Sequence, residues 1–234
     1  ALTRGGVALG YTLRRSGRFV KLVLLPGIGA DARLFEAQRQ SFPTLEVPRW
    51  LAPSDQESLA SFGARMAAGL SASPDLYLGG VSFGGMVALE MARQLRPRGV
   101  FLIGSCSSPD QLPAYARFLG RALRVIPARV YKAPAKIRPM LRLKFGVVSP
   151  EHEELLFQML LDTPVSFLKW GCRAILDWKP AGPPPVPVWR IHGAADHLIP
   201  ASLVHADRVV EGAGHLVNLT HPQEVERFIR ERVS

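Results

Sequence analysis

Cysteine is almost missing from this chain: Cys106 and Cys172 are the only two among 234 residues. Two are too few for a disulfide framework or a cysteine-based zinc site, and the expected state is two free thiols in a reducing compartment. Long apolar runs are missing too. None approaches the roughly eighteen residues that cross a bilayer, and Ala1 to Gly10 lacks the apolar core of a signal peptide. These absences together set a cytoplasmic expectation. Acidic residues are the scarcer charge, with 19 Asp and Glu against 29 Lys and Arg, 23 of the latter Arg, for a net charge of +10. Such an excess fits a polyanionic partner, a nucleic acid or a membrane surface. No nucleic-acid-binding motif accompanies it, so an Arg-rich solvated surface is the better reading and no nucleic-acid partner is expected. No internal repeat stands out.

What is present is the composition of a globular protein, 47% apolar and 21% charged. The length fits one α/β domain with a modest insertion, or two small domains. Val7–Leu13 and Phe19–Leu25 read as opening strands, the second nearly continuous in apolar residues, as strands buried on both faces are. Pro26-Gly27-Ile28-Gly29 breaks it. A helix follows, with Asp31 near its start and Leu34, Phe35 and Gln38 inside, closed by Pro43. Leu45–Trp50 reads as a short strand and Ser58–Leu70 as a helix. Leu76–Leu78 leads through Gly79 to Gly85 into a helix over Met86–Leu95, and Gly99–Ile103 is the next strand. Alternating strand and helix predicts a doubly wound, mainly parallel sheet with helices on both faces.

Residues 105–181 break that rhythm. Four helical pieces are expected there, Tyr115–Ile126, Ile137–Phe145, Pro150–Leu161 and Val165–Asp177, forming a helical cap inserted between two strands. Residues 1–104 and 182–234 then make the core domain. The stiff Gly182-Pro183-Pro184-Pro185 returns the chain to a strand at Val186–Ile191, another at Asp207–Val210 and a closing helix at Pro222–Arg232.

Gly80-Val81-Ser82-Phe83-Gly84 fits the G-x-S-x-G pattern of a sharp strand-to-helix turn that exposes a serine nucleophile. The positions two away from Ser82 must be small, and glycine has no Cβ to clash. The helix that starts here aims its positive N-terminal end at the nucleophile. The motif alone is weak; a strand before it and a helix after it make it specific. Serine needs a general base. His215, after Gly212-Ala213-Gly214, falls on a loop at the C-terminal end of the last strand, where parallel α/β sheets bind ligands; His197 is its rival. The base needs an acid to hold its tautomer. Asp196 leaves the penultimate strand on the same edge, with Asp110 and Asp207 fitting less well. Backbone N–H groups of Ile28 and Phe83 are the candidate oxyanion hole, where losing one donor typically costs about 2.7–4 kcal/mol of transition-state stabilisation.

Leu25-Pro26-Gly27-Ile28-Gly29, Gly80 to Gly85, Ile191-His192-Gly193-Ala194-Ala195-Asp196 and Gly212-Ala213-Gly214-His215 occur in this order. Through them the chain resembles the α/β-hydrolase superfamily over nearly its whole length, and its small capped carboxylesterase and thioesterase members in particular. The resemblance implies the α/β-hydrolase fold, a cap after the strand that follows the elbow helix, a Ser82, Asp196, His215 triad and no cofactor. Pro26 departs from the His that many relatives carry before the oxyanion glycine. Serine at the elbow argues against haloalkane dehalogenases and epoxide hydrolases, which use Asp. Leu216 stands where plant hydroxynitrile lyases of the superfamily carry Lys.

The expected activity is cleavage of small-molecule esters or thioesters through an acyl-enzyme. A lyase using the same triad as a base, and a ligand receptor without turnover, are the alternatives. Phe118, Trp170 and Leu216 are the candidate substrate contacts. Residues 111 to 150 hold nine Lys or Arg and no Asp or Glu, with Arg117, Arg121 and Arg124 on one helical face. A basic helix of this kind can meet a membrane surface or an acidic carrier; a solvated cap surface is the simpler reading.

Overall fold

The computed structural model describes residues 18–115 and 149–233, together with 14, 15, 117, 118, 139 and 145. The strand expected over Val7–Leu13, most of the helices expected over Ile137–Phe145 and Tyr115–Ile126, and Arg121 and Arg124 lie outside the described residues. The first described elements are the two-residue strands β1 (Arg14–Arg15) and β2 (Arg18–Phe19), which pair antiparallel.

Five parallel strands form the main sheet in the order β3 (Lys21–Leu25), β4 (Leu76–Val81), β5 (Gly99–Ile103), β6 (Val188–Gly193) and β7 (Arg208–Val210). Side chains alternate across a strand, and here both faces are apolar. Leu22, Leu24, Tyr77, Val81, Phe101, Ile103 and Ile191 face one hydrophobic cluster, which α6 (Pro222–Val233) completes with Phe228 and Ile229. Val23, Leu25, Leu76, Leu78, Val100 and Leu102 face the other, under α2 (Leu59–Ala68) and α3 (Phe83–Leu95). Each buried Leu, Ile or Phe stabilises the fold by about 1.5–3 kcal/mol relative to exposure. Ser58 caps α2, its side chain accepting the Ser61 N–H.

The helix expected after Asp31 is a 3-10 turn, Ala32–Phe35, running into α1 (Glu36–Ser41). The strand expected over Leu45–Trp50 is corrected. Only Glu46 pairs, as a parallel bridge to Val23, with its N–H donating to the Leu22 carbonyl and its carbonyl accepting from the Leu24 N–H, both at 3.0 Å. Pro48 has no N–H with which to extend the ladder. The bridge still fixes the winding. The chain leaves β3 to Glu46 on one side, then crosses through α2 to β4 on the other. The sheet is therefore doubly wound, with its switch point at the C-terminal end of β3, where open α/β sheets place their ligands.

Between β5 and β6 lie α4 (Pro150–Asp162) and α5 (Val165–Asp177). Ser149 caps α4 through the His152 N–H, Pro150 opens it and Glu151 and Glu153 sit in its first turn, the pattern a helix N-terminus favours. Leu156, Phe157 and Met159 of α4 join the first cluster, and Phe167, Trp170 and Ala174 of α5 join the second. Among the described residues, no helix is long and apolar enough to cross a membrane.

Candidate active site

The sheet register assembles the site. Leu25 pairs with Gly80, Val81 with Ile103 and Ile103 with Ile191, so the loops that leave these strands open onto one edge. Ser82 is the first residue past β4. Its φ of 53° lies in the left-handed region that favours glycine, with ψ −120°. Its neighbours explain how the turn is held. A Cβ on Gly80 would fall 2.3 Å from the Gly84 carbonyl carbon, and one on Gly84 would fall 2.2 Å from the Leu25 oxygen. Only glycine fits both places. The Ser82 N–H donates to Ile103 O at 3.0 Å, and its carbonyl accepts from Gly85 N at 3.0 Å and Ser105 Oγ at 2.6 Å. The strained residue is thus bonded on both sides.

Gly27, Ile28 and Gly29 form a turn closed by Ala30 N–H to the Gly27 carbonyl at 3.1 Å, with Gly29 at φ 75°. That is the position where a type II turn demands glycine. The turn lies against the serine: a Cβ on Gly27 would stand 3.8 Å from Ser82 Cβ. Phe83 opens α3, so its N–H is among those a helix leaves without an internal partner. The inserted helices press on this turn from above. Leu160 of α4 approaches Gly29, and the Ile28 side chain fills the space that a Cβ on Gly171 of α5 would need.

Asp196 and His215 come together from β6 and β7. Ala194 N–H donates to Val210 O and Ala195 N–H to Ala213 O, stitching the two loops. Asp196 Oδ2 lies 2.8 Å from His215 Nδ1, and both side chains are buried. Asp196 Oδ1 accepts from the N–H groups of Leu198 and Ile199, each at 2.8 Å. Burial pushes the Asp196 carboxyl up. The charge of His215, the nearby His192 N–H and the hydrogen bonds from His215 and Ile199 outweigh it and hold the group well below the usual carboxylate range. His215 Nε2 is buried and has no hydrogen-bond partner among the described residues. The His215 N–H donates to Phe145 O at 2.8 Å, and the Phe145 ring meets the imidazole edge-on at 5.2 Å.

Gly104 brings the end of β5 against His215. It follows Ile103 as Ser82 follows Val81, and a Cβ on it would lie 2.4 Å from His215 O. Ser82, Ile28 and Phe83 therefore lie together past β3 and β4, and Asp196 and His215 pair past β6 and β7, with no hydrogen bond joining Ser82 to His215 Nε2 among the described residues. The rival His197 is exposed. Trp170 is buried, packs edge-on against Phe83 at 6.0 Å and donates its indole N–H to Glu57 O. Leu216 is buried in the core beside the base. Phe118, by contrast, is 73% exposed, and its ring is not gathered into the site. Sequence reasoning missed Ser105, Gly104 and His192. The glycine after an apolar strand signalled Gly104, while Ser105 and His192 carry no signal outside their three-dimensional contacts.

The alpha/beta hydrolase family model matches residues 13–228, and the chain belongs to that family. Solved structures agree in fold. A thermophilic esterase from Thermogutta terrifontis is similar at 21% identity and a TM-score of 0.69, over 91% of this chain and 88% of its own. An esterase from Exiguobacterium antarcticum is similar at 17% identity and a TM-score of 0.72, over 91% of each chain. A thioesterase from the prodiginine biosynthetic pathway of Streptomyces coelicolor is similar at 18% and 0.66, over 91% of this chain and 90% of its own. No protein of curated function matches the sequence.

Proposed function

We propose that this protein is a serine hydrolase of small carboxylic esters or thioesters, with Ser82 as nucleophile, His215 as general base and acid, and Asp196 as the orienting acid. The observations that carry this are the buried Asp196–His215 pair, whose Nε2 has no partner among the described residues, and a serine held at φ 53°. With Nδ1–H committed to the carboxylate, Nε2 is the nitrogen left to accept a proton.

His215 Nε2 takes the Ser82 hydroxyl proton as Oγ attacks the substrate carbonyl carbon. The negative oxygen of the tetrahedral intermediate rests on the N–H groups of Ile28 and Phe83. The bond to the leaving group breaks, and His215 returns the proton to the departing alcohol or thiol. Water then enters, gives a proton to His215 and attacks the acyl carbon, and Ser82 regains its proton as the acid leaves. Every atom and proton is accounted for without a cofactor. Residues 105–181 act as the cap, and α4 and α5 hold the oxyanion turn from above.

Turnover of p-nitrophenyl esters of graded chain length, by the wild type and by Ser82→Ala, tests the reading. Saturable turnover that falls by about 10³-fold or more in the variant is expected. Turnover unchanged by the substitution contradicts the assignment of Ser82. Binding of an ester without turnover would point to a receptor.

A further inference from the structure

We propose that His192 is a positioning residue of the catalytic acid, holding the Asp196 carboxylate ionised and aimed at His215; the inference rests on the triad reading above. His192 is the penultimate residue of β6, and its side chain is fully buried. Its Nε2 stands 2.6 Å from the carbonyl oxygen of Ile199 and 3.0 Å from Asp196 Oδ2, the same oxygen that meets His215. Both neighbours are acceptors, so Nε2 carries the hydrogen. The N–H is directed at Ile199 O, and the carboxylate oxygen lies beside that bond. Nδ1 is buried without a partner among the described residues, which fits a bare nitrogen and a neutral ring.

Two effects follow from this one N–H. It ties the Ile199 carbonyl to β6, while the Leu198 and Ile199 N–H groups grip Asp196 Oδ1. The loop is thereby closed around the carboxylate from both sides. The positive end of the N–H dipole also stands beside Oδ2, inside a buried site where electrostatic effects are strong. The carboxylate thus presents less negative potential to His215 than a bare one would. Among the described residues, the other titratable groups that face this cluster are His215 itself and the Cys106 thiol after β5. Burial pushes that thiol up to about 12, so it stays uncharged.

His192→Gln and His192→Leu, assayed on a p-nitrophenyl ester from about pH 5 to about 8, test the proposal. Gln carries an amide N–H close to the place of the imidazole Nε2–H, and Leu carries none. His192→Leu is expected to lower kcat about tenfold at unchanged KM and to move the acid limb of kcat/KM to higher pH. His192→Gln is expected to keep kcat within about threefold of wild type and leave the limb in place. Equal losses in the two variants, or an unmoved limb in His192→Leu, overturn the proposal. Should His192→Leu not fold, imidazole ¹⁵N NMR of the wild type decides: hydrogen on Nε2 supports the inference, and hydrogen on Nδ1 alone overturns it. That readout needs no turnover. Wild-type turnover insensitive to Ser82→Ala would sink the triad reading separately.

Discussion

Ser82 occupies a backbone conformation that residues with a side chain avoid, and the surrounding bonds hold it there. Non-glycine residues in such regions cost about 1–3 kcal/mol, a strain that clusters at active sites. Ser82→Gly should therefore raise the unfolding free energy in urea by about 1 kcal/mol while abolishing esterase turnover. The glycines two away behave in the opposite sense. Gly84→Ala would drive a Cβ to 2.2 Å from the Leu25 oxygen, and backbone cannot step aside as a flexible side chain can. A loss of about 1–3 kcal/mol in the same titration is expected. Asp196→Asn keeps the shape of the acid but can donate where Asp196 only accepts, against His215 Nδ1 and two backbone N–H groups. A fall in kcat of about 10³–10⁴ at nearly unchanged fold, checked by circular dichroism, is expected.

At the scale of elements, α5 packs against the turn that carries Ile28. It lies over the Gly27–Gly29 turn because Gly171 leaves room for the Ile28 side chain, with a would-be Cβ only 2.5 Å from Ile28 Cδ1. Gly171→Val should displace either the helix or the turn and lower kcat/KM on a p-nitrophenyl ester by about 10²-fold, the scale of a 1 Å misplacement. The boundaries of α5 were legible in the sequence, Val165–Asp177 in both, because its apolar residues recur at helical spacing and Pro164 marks its start. The five main strands were legible for a related reason, as apolar runs ended by glycine or proline. The expected strand at Leu45–Trp50 was not. Its residues suit a strand, but Pro48 cuts the ladder and Trp50 turns away to pack with Phe62, Phe83 and Phe167. At the site, residue type and order pointed to Ser82, Asp196 and His215. His192 stood in the motif ahead of Asp196, but its role and that of Ser105 lie in a carbonyl or carboxylate oxygen met across the fold, and no local pattern encodes that.

Across the whole molecule, charge and burial set the response to pH. The folded-state carboxyl of Asp196 is held below its ordinary value, so its contribution to stability is present above the unfolded carboxylate pKa of roughly 3.9 and is lost as the pH falls below it. Asp31 adds in the same direction, lowered first by its hydrogen bonds from Arg33. With a net charge of +10, protonating carboxylates also increases self-repulsion. The urea midpoint should hold steady between about pH 7 and 5 and fall below about pH 4, and Asp196→Asn should flatten that fall.

In the proposed reaction one serine, activated by one histidine, forms a covalent intermediate. Labelling with a fluorophosphonate followed by peptide mass mapping tests it most directly. A single adduct on Ser82, absent in Ser82→Ala and slowed by about 10²-fold or more in His215→Ala, is expected. An adduct on another residue, or labelling of Ser82 at the wild-type rate once His215 is removed, would contradict it.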